Sequence, residues 1–237
     1  MTETELRQKV VSTALAWLGT REYSAKHQEM LDIYNAQRPL PRGTRMLASW
    51  PWCAAFVSTV SLQCGLRDIM PTECGCPGMV RLYQELGRWV EDDAYTPSPG
   101  DVIFYDWQDS GVGDNAGQPD HVGIVTACDG QTMTIIEGNC DNAVKTRSLA
   151  VNARFIRGYG CPDYASRADG AEPTPTPAPT PTPEPEKPAE ATVDPFVTKT
   201  AREVIAGKWG NGQARKGALA AWFTKAVQDE VNRILGG

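Results

Sequence analysis

Histidine is scarce in this chain. Its 237 residues hold only His27 and His121, so any imidazole chemistry rests on one of two positions. Positive charge is not in excess either. Twenty-three Lys and Arg stand against 29 Asp and Glu, a net charge of −6, which excludes a strongly basic nucleic-acid binder. No apolar run approaches the ~20 residues that cross a bilayer, so a polytopic membrane protein is excluded too. The start, MTETELRQKVVSTALAWLG, lacks a basic segment followed by an apolar one, and acids and bases interrupt it throughout. It does not read as a secretory leader, and synthesis in the cytoplasm is expected. Thiols stay reduced there, so the seven cysteines, an odd number, are not read as a disulfide framework.

What is present divides the chain in three. Residues 1–165 mix apolar runs, glycine turns and all the cysteines, and 41% hydrophobic residues overall leave ample material for a core. Residues 166–192 hold no large apolar residue, and eight prolines fall between positions 173 and 188. Alternating Pro and Thr favours polyproline II, so this stretch reads as a semi-rigid linker. Residues 193–237 turn apolar and periodic again. The three regions carry net charges of −6, −3 and +3. At the front, Leu6, Val10, Ala14 and Trp17/Leu18 recur at helical spacing, and Gly19 is placed to cap that helix.

The run from Trp50 to Gly65, WPWCAAFVSTVSLQCG, predicts a helix between Pro51 and Gly65. Cys53, Phe56, Val57, Val60 and Cys64 fall on one face of it. Cys53 then sits in the first turn, where unpaired N–H groups and the positive end of the helix dipole lower a thiol pKa. A nucleophilic cysteine and a buried structural one are both compatible with that placement. Cys74 and Cys76, only two residues apart with no histidine nearby, do not form a zinc pattern. They are expected to be structural thiols, like Cys64, Cys128, Cys140 and Cys161.

Residues 97–107 predict a turn followed by a buried strand. His121 to Ala127 and Thr132 to Glu137 predict a hairpin around Asp129-Gly130. Two registers are open. A two-residue turn pairs His121 with Gly138 and sends Glu137 to the other face. A three-residue loop, with Gly130 in the left-handed position, pairs His121 directly with Glu137 and puts Asn139 on the same face. A Cys–His pair needs a third group to orient the imidazole, and Glu137 and Asn139 are the candidates. His27 lies in a polar stretch and is expected to serve a surface or structural role.

WPWCAAFVS, PGDVIFYDW, DHVGIV and IEGN, in that order, resemble the cysteine, histidine-dependent amidohydrolase/peptidase (CHAP) family over roughly residues 5–165. The resemblance implies a papain-like α+β fold, with helices packed on an antiparallel sheet. It implies Cys53 as nucleophile, His121 as general base, Glu137 as orienting acid and Asn139 as the accompanying polar residue. Members cut peptidoglycan peptides, or the amide that joins them to the sugar, through a thioester. Some relatives bind calcium through acids just before the cysteine. Residues 39–52 contain no Asp or Glu, so that site is not expected. No cofactor or metal is expected.

In the tail, Asp194-Pro195 signals a helix start. Val197, Ala201, Val204 and Ile205 mark a first apolar face, Leu219 and Trp222 a second, and Val227, Val231, Ile234 and Leu235 a third. REVIAGKWGNGQARKGAL and AVQDEVNRIL resemble the CW-seven cell-wall-binding repeat of some phage lysins, a small three-helix module that recognises the muropeptide. Trp209, Asn211 and Arg215 are its candidate ligand contacts. Together the two resemblances imply a monomeric, modular peptidoglycan hydrolase of the endolysin type, either an N-acetylmuramoyl-L-alanine amidase or an endopeptidase, reaching the wall after holin-dependent release. It is expected to bind bacterial peptidoglycan and neither nucleic acid nor membrane. The alternatives are a bacterial wall-remodelling enzyme of the same chemistry and a catalytically inactive wall-binding protein.

Overall fold

The computed structural model describes residues 1–92, 95–110 and 115–169. Most of the expected linker, the expected three-helix tail and Trp209, Asn211 and Arg215 lie outside the described residues.

Four α-helices come first and the strands follow. Helix α1, Glu3–Leu15, begins with a capping box: the Thr2 hydroxyl accepts from the Glu5 N–H at 3.2 Å, and the Glu5 carboxylate accepts from the Thr2 N–H at 2.7 Å. Leu6, Val10 and Ala14 form its buried stripe. The helix ends earlier than the expected cap at Gly19. The chain leaves it at Ala16, Trp17 stays buried while Leu18 is exposed, and the Gly19 N–H donates to the Val144 carbonyl. Gly19, at φ +79°, thus turns the chain toward a sheet edge rather than capping the helix.

Helix α2, Ala25–Ala36, is capped by Ser24 and buries Met30, Leu31 and Tyr34. His27 is not on the surface. It is buried on α2, its Nδ1 accepts from the Tyr23 N–H at 3.1 Å, and its ring lies 4.7 Å from that of Trp52. Of its two expected roles, it takes the structural one.

Helix α3, Cys53–Cys64, runs between Trp52 and Gly65, and Gly65 closes it in the left-handed conformation at φ +70°. The expected single face is too modest a description, because every residue from Cys53 to Val60 is buried. Polar residues survive in that central position by bonding neighbouring carbonyls. Ser58 donates to Glu73 at 2.7 Å and Thr59 to Met30 at 3.1 Å. Helix α4, Cys76–Glu85, has Pro77 in its first turn and buries Cys76, Met79, Val80 and Tyr83 at helical spacing.

The strands are β1 (Trp89–Val90), β2 (Val102–Tyr105), β3 (His121–Cys128), β4 (Thr132–Cys140), β5 (Ala143–Ala150) and β6 (Ile156–Gly160). They form one six-stranded antiparallel sheet in the order β1-β6-β2-β3-β4-β5. Alternation sorts its side chains. Val102, Phe104, Val122, Ile124 and Ile136 join the core with the helices, while Ile103, Tyr105, Val125, Met133 and Ile135 build a second cluster on the other face. Gly138 lets α3 lie close on β4: a Cβ there would sit 2.4 Å from that of Phe56 and 3.0 Å from the Trp52 ring. The described residues are thus α+β, helices on an antiparallel sheet, as expected for the first domain.

Candidate active site

Cys53 opens α3 and His121 opens β3, and the two first residues meet. As the first residue of its helix, Cys53 has a backbone N–H without an intrahelical partner. Its sulfur faces the His121 imidazole, and each group favours the charged form of the other. The His121 Nε2 lies 3.3 Å from Oε2 of Glu137, which leaves Nδ1 as the ring nitrogen available to the sulfur. Tyr105, the cross-strand neighbour of His121, stacks on the imidazole with ring centroids 5.8 Å apart. Glu137 is fully buried, and Arg147 on β5 donates from Nε to both of its oxygens, at 2.9 and 3.1 Å. The Arg147 guanidinium in turn lies 4.9 Å from the centroid of the Trp107 ring.

Neither expected register is the one observed. Cys128 pairs with Met133, the Asp129 N–H donates to the Thr132 carbonyl, and Asp129 to Gln131 connect the two strands. The Asp129 carboxylate holds this turn by accepting from the Gln131 and Thr132 N–H groups at 2.9 and 2.7 Å. One extra residue on β3, Thr126, then makes a bulge between Val125 and Ala127. The result pairs Glu137 with Gly123 rather than with His121. That is a shift of two residues from the three-residue-loop register, so the face is kept and His121 becomes a diagonal neighbour. Gly123 makes the diagonal reach possible. A Cβ there would lie 2.6 Å from Ile135 Cγ2 and 2.9 Å from Glu137 Cγ.

The charges fit one another. Burial alone would push the Glu137 carboxyl up, but His121 and Arg147 outweigh it and hold the pKa at about 2. Burial likewise opposes charge on His121, yet the Cys53 sulfur and Glu137 raise it to about 9. Cys53 is held well below the ordinary thiol value. The largest cause is its hydrogen bond with Cys76, which together with His121 overcomes the burial that pushes it up. A thiolate–imidazolium pair is therefore the favoured state near neutral pH.

Cys76 departs from the expectation of a merely structural thiol. Its Sγ lies 3.7 Å from that of Cys53, and both residues are buried. Its own pKa is raised well above the ordinary thiol value by the Cys53 sulfur, by burial and by the nearby Asp120 charge. Cys53 and Cys76 open onto one pocket, walled by Trp50, Pro51, Pro77, Pro119 and Asp120. Asn139 sits where the β4–β5 pairing slips, at φ +57°, and no hydrogen bond joins its side chain to His121 among the described residues. Sequence reasoning missed Arg147 and the contact of Cys76 with Cys53. The second had none, because no local pattern brings two helix starts together. The first had none either without the sheet register.

Residues 45–139 match the CHAP domain family, a span that holds Cys53, Cys76, His121, Glu137 and Asn139 but not Arg147. Residues 199–235 match the CW_7 repeat. Neither the comparison with curated proteins nor that with solved structures returns a match. The two matched spans indicate a peptidoglycan hydrolase with a cell-wall-binding repeat. The chain carries a CHAP domain followed by a CW_7 repeat.

Proposed function

We propose that this protein is an endolysin-type cysteine hydrolase that cuts an amide bond of peptidoglycan, with residues 1–165 as the catalytic part and the tail as the wall anchor. The observation that carries this reading is the hydrogen-bonded relay His121–Glu137–Arg147 facing the Cys53 sulfur, which lines a pocket. In the reaction, the Cys53 thiolate adds to the amide carbonyl carbon. The Cys53 backbone N–H supports the oxyanion. The C–N bond breaks as His121 gives its proton to the leaving amine. Water then adds to the thioester carbonyl, His121 takes a proton from that water, and the C–S bond breaks to release a carboxylate and restore the thiolate. Glu137 keeps His121 oriented and charged, and Asn139 is the accompanying polar residue. Trp209, Asn211 and Arg215 are the proposed wall contacts, with the indole stacking on a sugar and the guanidinium holding a carboxylate.

The test uses the full chain on purified cell walls, with mass spectrometry of the released muropeptides. Wild type should release fragments with one newly freed amine per cut. Cys53→Ala should lose release by roughly 10³-fold or more. Equal release by the two proteins would defeat the enzyme reading. A newly freed alanine amine next to a bare muramoyl carboxylate identifies an amidase, and a cut within the peptide identifies an endopeptidase.

A further inference from the structure

Two helices of this protein begin with a cysteine, and the two sulfurs touch. Cys53 is the first residue of α3 and Cys76 the first of α4, with Sγ atoms 3.7 Å apart. Both residues are almost shut off from solvent, at 5% and 4% exposure. A pair of thiols in that position shares its charge unevenly, and the groups facing each sulfur decide which one ionises. On the Cys53 side stands the His121 imidazole from β3, backed by Glu137 from β4 and Arg147 from β5. On the Cys76 side stands the Asp120 carboxylate, which lines the same pocket. A cationic ring favours a thiolate beside it, and a carboxylate disfavours one.

We propose that Cys76 is a positioning residue of this site: its thiol stays protonated and donates its S–H to the Cys53 sulfur, which is thereby held between Cys76 and His121. The inference rests on the reading of Cys53 as the nucleophile and adds a residue to it. The S–H serves two purposes. It stabilises the anion in a nearly buried place, where an unpartnered charge is costly. It also fixes the direction of the sulfur, so the attacking lone pair faces the pocket walled by Trp50, Pro51, Pro77 and Pro119. The support is independent of substrate: a close contact between the first residues of two helices, and opposite charges on the two flanks. The ordinary thiol range is left in opposite directions by the two groups, Cys53 downward and Cys76 upward, as that division requires.

The experiment follows alkylation of Cys53 by iodoacetamide as a function of pH. It uses the full chain kept reduced, with the Cys53 peptide read by mass spectrometry. Wild type, Cys76→Ala and Cys76→Ser are compared, each checked for a native circular-dichroism spectrum and thermal transition. Removing the donor in Cys76→Ala should move the alkylation midpoint of Cys53 upward by about one pH unit. On cell walls it should lower kcat several-fold with KM nearly unchanged. Cys76→Ser restores an O–H donor and should recover most of the shift. An unmoved midpoint in Cys76→Ala overturns the proposal, and so does an equal shift in Ala and Ser, because either makes Cys76 a packing residue only. The alkylation readout needs no wall. A normal shift with no wall clearing by wild type would sink the hydrolase reading and leave the thiol pairing standing.

Discussion

Cys53 and Cys76 occupy the same kind of place and come out as opposite chemical species. Each is the first residue of a helix, each is buried, and each is the other's neighbour. The helix start alone therefore does not make a nucleophile. A helix dipole contributes only ~0.3–1 kcal/mol at an ordinary site, and here it acts on both sulfurs. What separates them lies across the pocket. Cys53 faces an imidazole whose pKa Cys53 itself and Glu137 raise, and Cys76 faces a carboxylate. The groups that face the two sulfurs, and not the helix starts, decide which thiol carries the charge.

The sharpest way to break that asymmetry is to remove the charge behind His121. Glu137→Gln keeps the shape but deletes the anion that Arg147 and His121 share. The His121 pKa should then fall from about 9 toward its ordinary value. With it goes the thiolate–imidazolium pair, and wall hydrolysis should drop by roughly 10²-fold or more. In wild type, activity should fall as pH rises through about 9, because the proton needed by the leaving amine is lost. In Glu137→Gln that alkaline limb should move down, and an NMR titration of the His121 ring tests the cause directly. A ring pKa left near 9 would mean that Glu137 does not set it. The same carboxylate also ties stability to acid. Its folded pKa near 2 lies below the unfolded value near 4.5. On the order of 3 kcal/mol of stability is thus present above the unfolded value and lost as pH falls toward 2.

A smaller effect should come from moving Glu137 rather than neutralising it. Gly123→Ala puts a methyl group against Glu137 Cγ and Ile135 Cγ2, at distances that real Cβ atoms do not tolerate. Overpacking of this kind costs about 1–3 kcal/mol. The displaced carboxylate should weaken its hold on His121, and activity should fall roughly tenfold. Chemical denaturation together with a kcat measurement would show both losses. A fully active Gly123→Ala protein would show that the diagonal geometry tolerates a shifted carboxylate.

How much of this could be read beforehand varies from element to element. Helix α3 was legible because Pro51 and Gly65 punctuate it, and the hairpin was legible from β-rich runs around Asp129-Gly130. The sharing of one face by His121 and Glu137 was legible in only one of the two registers weighed. The pairing itself was not, because it depends on the Asp129 carboxylate folding back onto the Gln131 and Thr132 N–H groups and on the Thr126 bulge. Both are set by local hydrogen bonds that a turn pattern leaves open. Arg147 could not be tied to Glu137 until β5 had a register. Helix α2 hid because its sequence, AKHQEMLDIYNA, is mostly polar, and it buries His27 and Asn35 beside its apolar residues. Cys76 was visible as a residue but not as a neighbour, since nothing in local sequence brings two helix starts together.

The mildest perturbation tests the other flank of the pair. Asp120 is exposed, and its carboxylate accepts from the Gln108 side-chain amide at 2.6 Å and from the Trp107 N–H at 3.2 Å. An Asn side-chain carbonyl can keep one of those acceptor roles, so Asp120→Asn removes charge with little change of shape. Solvent screens an exposed charge strongly. The thiol pair should therefore respond only by about a few tenths of a pH unit. The direction is definite. Without the carboxylate, Cys76 becomes easier to ionise and takes a larger share of the negative charge, while Cys53 alkylates slightly more slowly at neutral pH. The ratio of Cys76 to Cys53 alkylation in one sample, read by mass spectrometry, should rise about two- to threefold. A ratio that stays fixed would remove Asp120 from the explanation. The division of labour would then rest on His121 alone, and Cys76 would remain a thiol simply because its neighbour ionises first.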